Sequence, residues 1–171
     1  MNLVKYFVLI MLSFTCLWAK NKQSLEESYK NLAKSSISVE KRYELANSAM
    51  DFGFFESATK LYEDLLATDG IEVSSINSLE LRFSLIQAYI GRRDFNSAEV
   101  ILNEISEADR EDKFYLYNLI TQYVLNHKQA KKDILDLLKQ NLKQIRVKEL
   151  EDEDKSWYYY FKATEKLVEG K

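Results

Sequence analysis

Few residues of this chain have the type and spacing for chemistry. His127 is the only histidine among 171 residues, and it follows Asn126 at a junction between two helical patterns. A histidine in that setting is expected to be a surface or capping residue. A Ser–His–Asp arrangement would have to use it. No cysteine cluster and no histidine pair with ligand spacing exists, so a structural zinc site is not expected. No glycine-rich phosphate loop is present. "ELEDEDK" at 149–155 gathers five acids. A calcium loop needs alternating acids around a central glycine, and this run has neither. It reads as solvated charge at a helix start. Carboxylate pairs for hydrolysis could be drawn from the 27 acids, yet the sequence singles out no pair. No catalytic residue, metal or cofactor is expected.

One run stands apart for contact. "WYYYF" places Trp157, Tyr158, Tyr159, Tyr160 and Phe161 in succession. On a helix five consecutive aromatics cannot all face one core. Some must reach towards a neighbouring unit, a partner or lipid. The alternatives are packing on both sides of a buried terminal helix, or a contact surface for another chain.

The elements that must position these groups follow from composition. The chain has no proline and four glycines, with 46% hydrophobic and 30% charged residues. A β-rich protein would need more turn formers, so helices joined by short connections are expected. The length suits one domain. Basic and acidic residues are interspersed, with a net charge of −3. Nucleic-acid binding needs a concentrated basic surface and is not expected.

The chain repeats itself at an offset of forty. "SVEKRYELANSAMDFGFFESA" at 38–58 aligns with "SLELRFSLIQAYIGRRDFNSA" at 78–98, with seven of twenty-one positions identical. A period in this range marks a repeat array. Each unit reads as two helices. Ser38 and Ser78 are expected to cap the first helix, and Glu40 and Glu80 to sit in its first turn, where the helix dipole favours acids. Breaks are expected near Gly53 and Gly91. Ala58 and Ala98 are small where the two helices of a pair must approach.

These units resemble the tetratricopeptide repeat. "GFFESATKLYEDL" matches its turn and second helix through Gly53, Phe55, Ala58 and Tyr62; "YIGRRDFNSAEVIL" matches through Tyr89, Asp94, Phe95 and Ala98. Three departures stand out: Arg42 and Arg82 replace an early apolar residue, the spacing is forty instead of 34, and no proline closes a unit. The resemblance implies an all-α fold, with antiparallel helix hairpins stacked as a short right-handed α-solenoid over 20–171. The clearest repeats are 38–67 and 78–107. A degenerate third spans 113–141, with Ala130, Ile134 and Leu137 in the places of the inner residues. A terminal helix spans 154–169, either as a cap or as the first helix of a further unit. "KQSLEESYKNLAKSS" at 22–36 is expected to add one helix upstream.

The family frame implies a concave stripe built from the first helix of each unit. It holds Glu40, Tyr43, Asn47 and Met50, then Glu80, Phe83, Gln87 and Ile90: acid, aromatic, amide and apolar in both rows. Tyr43 and Phe83 either bind a partner or pack between units. Both stand where a carboxylate-clamping repeat would carry a lysine, so that activity is not implied.

Residues 1–19, "MNLVKYFVLIMLSFTCLWA", carry one basic residue and then an apolar run from Tyr6 to Ala19. As a helix the run reaches roughly 21 Å, short of a hydrocarbon core of about 30 Å. A signal peptide cut after Ala19 is expected, with an uncleaved anchor as the alternative. Cys16, the only cysteine, lies inside it. Lipidation of Cys16 fits poorly, because Phe14 is bulky and "LWA" stays apolar. Without residues 1–19 the charge becomes −4 and no cysteine remains. The expected function is an exported, non-catalytic scaffold of the periplasm or envelope that binds a protein or peptide on the concave face. The alternatives are a lipid-anchored version of it, or an all-α cell-wall enzyme using carboxylates.

Overall fold

The computed structural model describes residues 38–68, 76–126, 128 and 130–170. The leader reading at 1–19 with Cys16, the helix expected at 22–36, and His127 lie outside the described residues. Among the described residues there are seven α-helices, two short 3-10 turns and no strand. The helices are α1 (Val39–Asp51), α2 (Phe55–Leu66), α3 (Ser78–Gly91), α4 (Phe95–Glu104), α5 (Asp112–Leu125), α6 (Lys131–Leu142) and α7 (Asp152–Glu169). Each packs against the next in the chain, and α5 also touches α3 and α7.

The turns of the first two pairs match atom for atom at the offset of forty. Gly53 N–H donates to the Met50 carbonyl at 2.8 Å, and Arg93 N–H to that of Ile90 at 2.9 Å. Phe54 N–H donates to Ala49 O at 2.8 Å, and Asp94 N–H to Tyr89 O at 2.9 Å. Both turns thus satisfy carbonyls that a helix end leaves orphaned. Ala58 and Ala98 then sit at the same place in α2 and α4, each fully buried. A larger side chain at either place would force the paired helices apart.

Two local expectations are corrected and one is refined. Ser38 does cap α1, its hydroxyl accepting from Lys41 N–H at 3.3 Å. In α3 the cap is Asn77, which accepts from Leu79 N–H at 2.8 Å; Ser78 is already inside the helix. The second break falls at Arg92–Asp94, with Arg93 in the left-handed region at φ 62°. Gly91 remains helical. A β-carbon there would lie 2.6 Å from the Phe55 ring, so its smallness admits that ring. Finally, Ala130 is exposed just ahead of α6, while Leu138 is fully buried. Because α6 starts at Lys131, Ala130 stands at its cap, outside the core; Ile134 and Leu137 pack against the core as expected, beside the buried Leu138 and Leu142.

One core runs through all the pairs, from Ala46 and Leu61 through Leu81, Ile86 and Leu102 to Leu116, Leu138 and Phe161. Each such leucine or phenylalanine contributes about 1.5–3 kcal/mol by leaving water. Polar links tie successive helices: Tyr62 Oη donates to Asn47 at 2.7 Å, Tyr89 Oη to Glu63, Gln122 to Glu99 at 2.6 Å and Asn118 to Asn141 at 3.0 Å.

Candidate functional site

Alternate helices turn residues towards a common recess of about 670 Å³. Met50 and Asp51 come from α1, Gln87, Ile90 and Gly91 from α3, Tyr117 and Ile120 from α5, and Glu153, Asp154 and Trp157 from α7. Gly53, Phe55 and Glu151 complete the described lining. Among the described lining the four odd helices therefore build the recess, and of the even helices only α2 reaches it, through its first residue.

A second recess of about 400 Å³ adjoins the first and shares Ile90, Gly91, Ile120 and Trp157 with it. Its other lining residues are Arg93, Phe95, Tyr123, Val124, Tyr160 and Phe161. The two recesses thus form one trough, acidic at one end and aromatic at the other.

The acidic end follows from how α7 begins. Asp152, Glu153 and Asp154 fill its first turn, where the helix dipole favours negative charge. Helical spacing points Asp154 inward, and it is only 4% exposed. Tyr117 Oη on α5 donates to its Oδ2 at 3.3 Å. Burial, with Glu151 and Glu153 close by, pushes the Asp154 carboxyl up to about 6, against the lowering effects of the Tyr117 hydrogen bond and the Lys113 charge. Burial first, and Asp154 second, raise the Tyr117 phenol well above its ordinary range, so it remains a proton donor. Lys113 reaches across the site: its ammonium lies 3.2 Å from Glu80 on α3 and 3.1 Å from Glu151 at the start of α7.

The aromatic end is built by α7 against α5. Phe161 is buried and meets the Tyr123 ring edge-on at 5.3 Å. Trp157 stacks on Phe161 at 6.0 Å and stays 41% exposed; Tyr160 is 52% exposed. Tyr158 is half-buried, and Tyr159, 60% exposed, is absent from the trough's described lining. The run "WYYYF" thus divides by helical geometry into a buried anchor (Phe161), two ledges (Trp157 and Tyr160), a half-buried ring against the core (Tyr158) and one outward-facing ring (Tyr159).

The expected stripe divides too. Met50, Gln87 and Ile90 line the recess. Glu40 is exposed, and Glu80 is held by Lys113. Asn47 accepts the Tyr62 hydroxyl, and Tyr43 lies half-buried against the Tyr62 ring at 6.2 Å. Phe83 is 1% exposed and packs edge-on against Tyr117 at 6.1 Å, in the core beneath the recess. Asp51, Glu153, Asp154 and Tyr117 were not on the expected stripe. The acidic start of α7 was visible in the sequence, but its position opposite Met50 and Gln87 required the fold.

Among the described residues no three acidic, histidine or cysteine side chains are grouped to hold a metal ion. No described helix is long and apolar enough to cross a membrane. Comparison with known protein families, with curated proteins and with solved structures gave no match.

Proposed function

We propose that this chain is an exported, non-catalytic scaffold that binds a partner protein or peptide on the concave face of a short right-handed solenoid of tetratricopeptide-like repeats. The periplasm or cell envelope is its proposed place, with envelope assembly the nearest analogy of fold. One observation carries the reading: residues of α1, α3, α5 and α7 converge on a single recess, as the inner helices of a stacked array do. The matching turns at Gly53 and Arg93 support the stacking. A trough with exposed Trp157 and Tyr160 offers the aromatic anchors on which binding energy concentrates.

The rival cell-wall enzyme has less support. A carboxylate mechanism of glycoside hydrolysis needs two acids facing one substrate bond. Among the described residues the recess holds one buried acid, Asp154; the other buried acid among them, Asp112, is engaged by Arg146 and is not among the described lining. The test is a photo-crosslinking residue placed at Gln87 in the recess, compared with one at Val100 on α4. A protein captured from Gln87 and not from Val100 is the expected result. Capture from Val100 alone overturns the concave-face reading.

A further inference from the structure

The trough narrows the partner's chemistry. Among its described residues the acidic recess contains four carboxylates, Asp51, Glu151, Glu153 and Asp154, and no lysine, arginine or histidine. Lys113, from outside that lining, engages Glu151. Asp51, Glu153 and Asp154 then leave the recess negative, with the Trp157 ring at its border with the aromatic end. Arg93 stands among the lining residues of that far end. The field therefore has a direction: a cation is favoured beside Asp154 and disfavoured beside Arg93.

We propose that the trough binds a segment of another protein that presents a lysine or arginine beside a large apolar side chain, with the cation in the acidic recess beside Asp154 and the apolar group on Trp157, Tyr123 and Tyr160. This rests on the concave-face reading above. Three features select that occupant. A buried carboxylate flanked by like charges is costly, and an arriving ammonium or guanidinium offsets that cost. The Trp157 face attracts a cation by its quadrupole, which a neutral glycan would not use. The aromatic ledge, partly exposed, gains by covering. An acidic segment would meet a net repulsion, since Lys113 offsets only part of the recess's negative charge.

The experiment is fluorescence anisotropy of the full chain with labelled dodecapeptides in a Gly/Ser background. One carries two Lys–Leu pairs, one two Glu–Leu pairs and one two Lys–Ser pairs. The Lys–Leu peptide is expected to bind at least tenfold more tightly than the others. Trp157→Ala with Tyr160→Ala is expected to weaken it tenfold or more, and Glu153→Gln with Asp154→Asn about fivefold. Asp133→Asn with Asp136→Asn, on the exposed side of α6, controls for general charge and should change nothing. Circular dichroism verifies that each variant is folded. Equal binding of the Glu–Leu peptide, indifference to the Trp157 and Tyr160 changes, competition by chitotetraose, or no binding by any peptide overturns the proposal. If Gln87 still crosslinks a protein in those cases, the concave-face reading survives and only the basic, apolar occupant is lost.

Discussion

Gly53 and Arg93, forty residues apart, adopt the same left-handed backbone, at φ 71° and 62°. A left-handed residue lets the chain reverse between paired helices within three positions. Glycine does this freely, whereas an arginine pushes its β-carbon towards its own carbonyl. One turn therefore carries strain that the other lacks. Arg93→Gly is expected to stabilise the chain by about 0.5–1 kcal/mol, part of the gain being lost to a more flexible unfolded state. Gly53→Ala should destabilise by about 1 kcal/mol through φ alone, since the space around it is open. Urea unfolding of both variants measures the difference.

Gly91 is tested through Phe55. An alanine at 91 would place its β-carbon 2.6 Å from Cδ1 and 2.7 Å from Cγ of that ring. The ring must move at its root, so Gly91→Ala should cost about 1–3 kcal/mol. In a Phe55→Ala background the penalty should largely vanish. A double-mutant cycle of thermal unfolding gives the coupling; additive effects would mean the two residues do not meet.

Asp154 makes stability depend on pH in a defined direction. Its folded carboxyl stands at about 6, above the ordinary value of 3.8. The protonated form is therefore favoured by folding, and that contribution is lost as pH rises through 6. Asp154→Asn should stabilise the protein near pH 8 by on the order of 1 kcal/mol, a figure discounted for the water reaching the recess, and should flatten the profile between pH 4 and 7. The charged or titratable groups around it are Tyr117 on α5, Glu151 and Glu153 beside it, and Lys113. The same protonation should weaken Lys–Leu peptide binding as pH falls through 6, and the Asn variant should lack this dependence.

Asp112 works in the opposite sense. Burial alone would raise its carboxyl, but the Arg146 guanidinium, at 2.8 Å, and the Arg146 backbone N–H hold it below the usual range. The contribution is present above the ordinary carboxylate pKa and is lost as pH falls through the depressed value. Asp112→Ala should cost about 1–3 kcal/mol at pH 7 by leaving the Arg146 N–H without its acceptor. Chemical unfolding at pH 7 and pH 2 should show the cost shrinking in acid.

The leader reading predicts a mature chain beginning at Lys20. Mass analysis of the protein recovered from the cells that produce it checks this. A first residue of Cys16 with added acyl mass would favour the lipid-anchored alternative.

Much of the helical order was legible because it is written locally. The acids ahead of "WYYYF" mark the start of α7, and the offset of forty places Ala58 and Ala98 in equivalent buried positions. Single-residue choices were harder. Gly91 looks like a break, yet its smallness answers to Phe55 from another helix, a contact no local pattern contains. Ser78 looks like a cap because Ser38 is one, but the neighbouring Asn77 has the side chain that reaches. Phe83 shares the stripe's spacing with Gln87, and only the approach of α5 buries the first while leaving the second at the recess. The trough lay furthest from view, since it joins residues as distant as Met50 and Trp157.

Lys113 bridges Glu80 and Glu151, so one ammonium braces three helices beside the acidic recess. A brace of this kind couples the spacing of α3 and α7 to ionic strength, because both of its carboxylate partners face solvent. Salt should then loosen the walls of the recess by weakening the brace that spaces them.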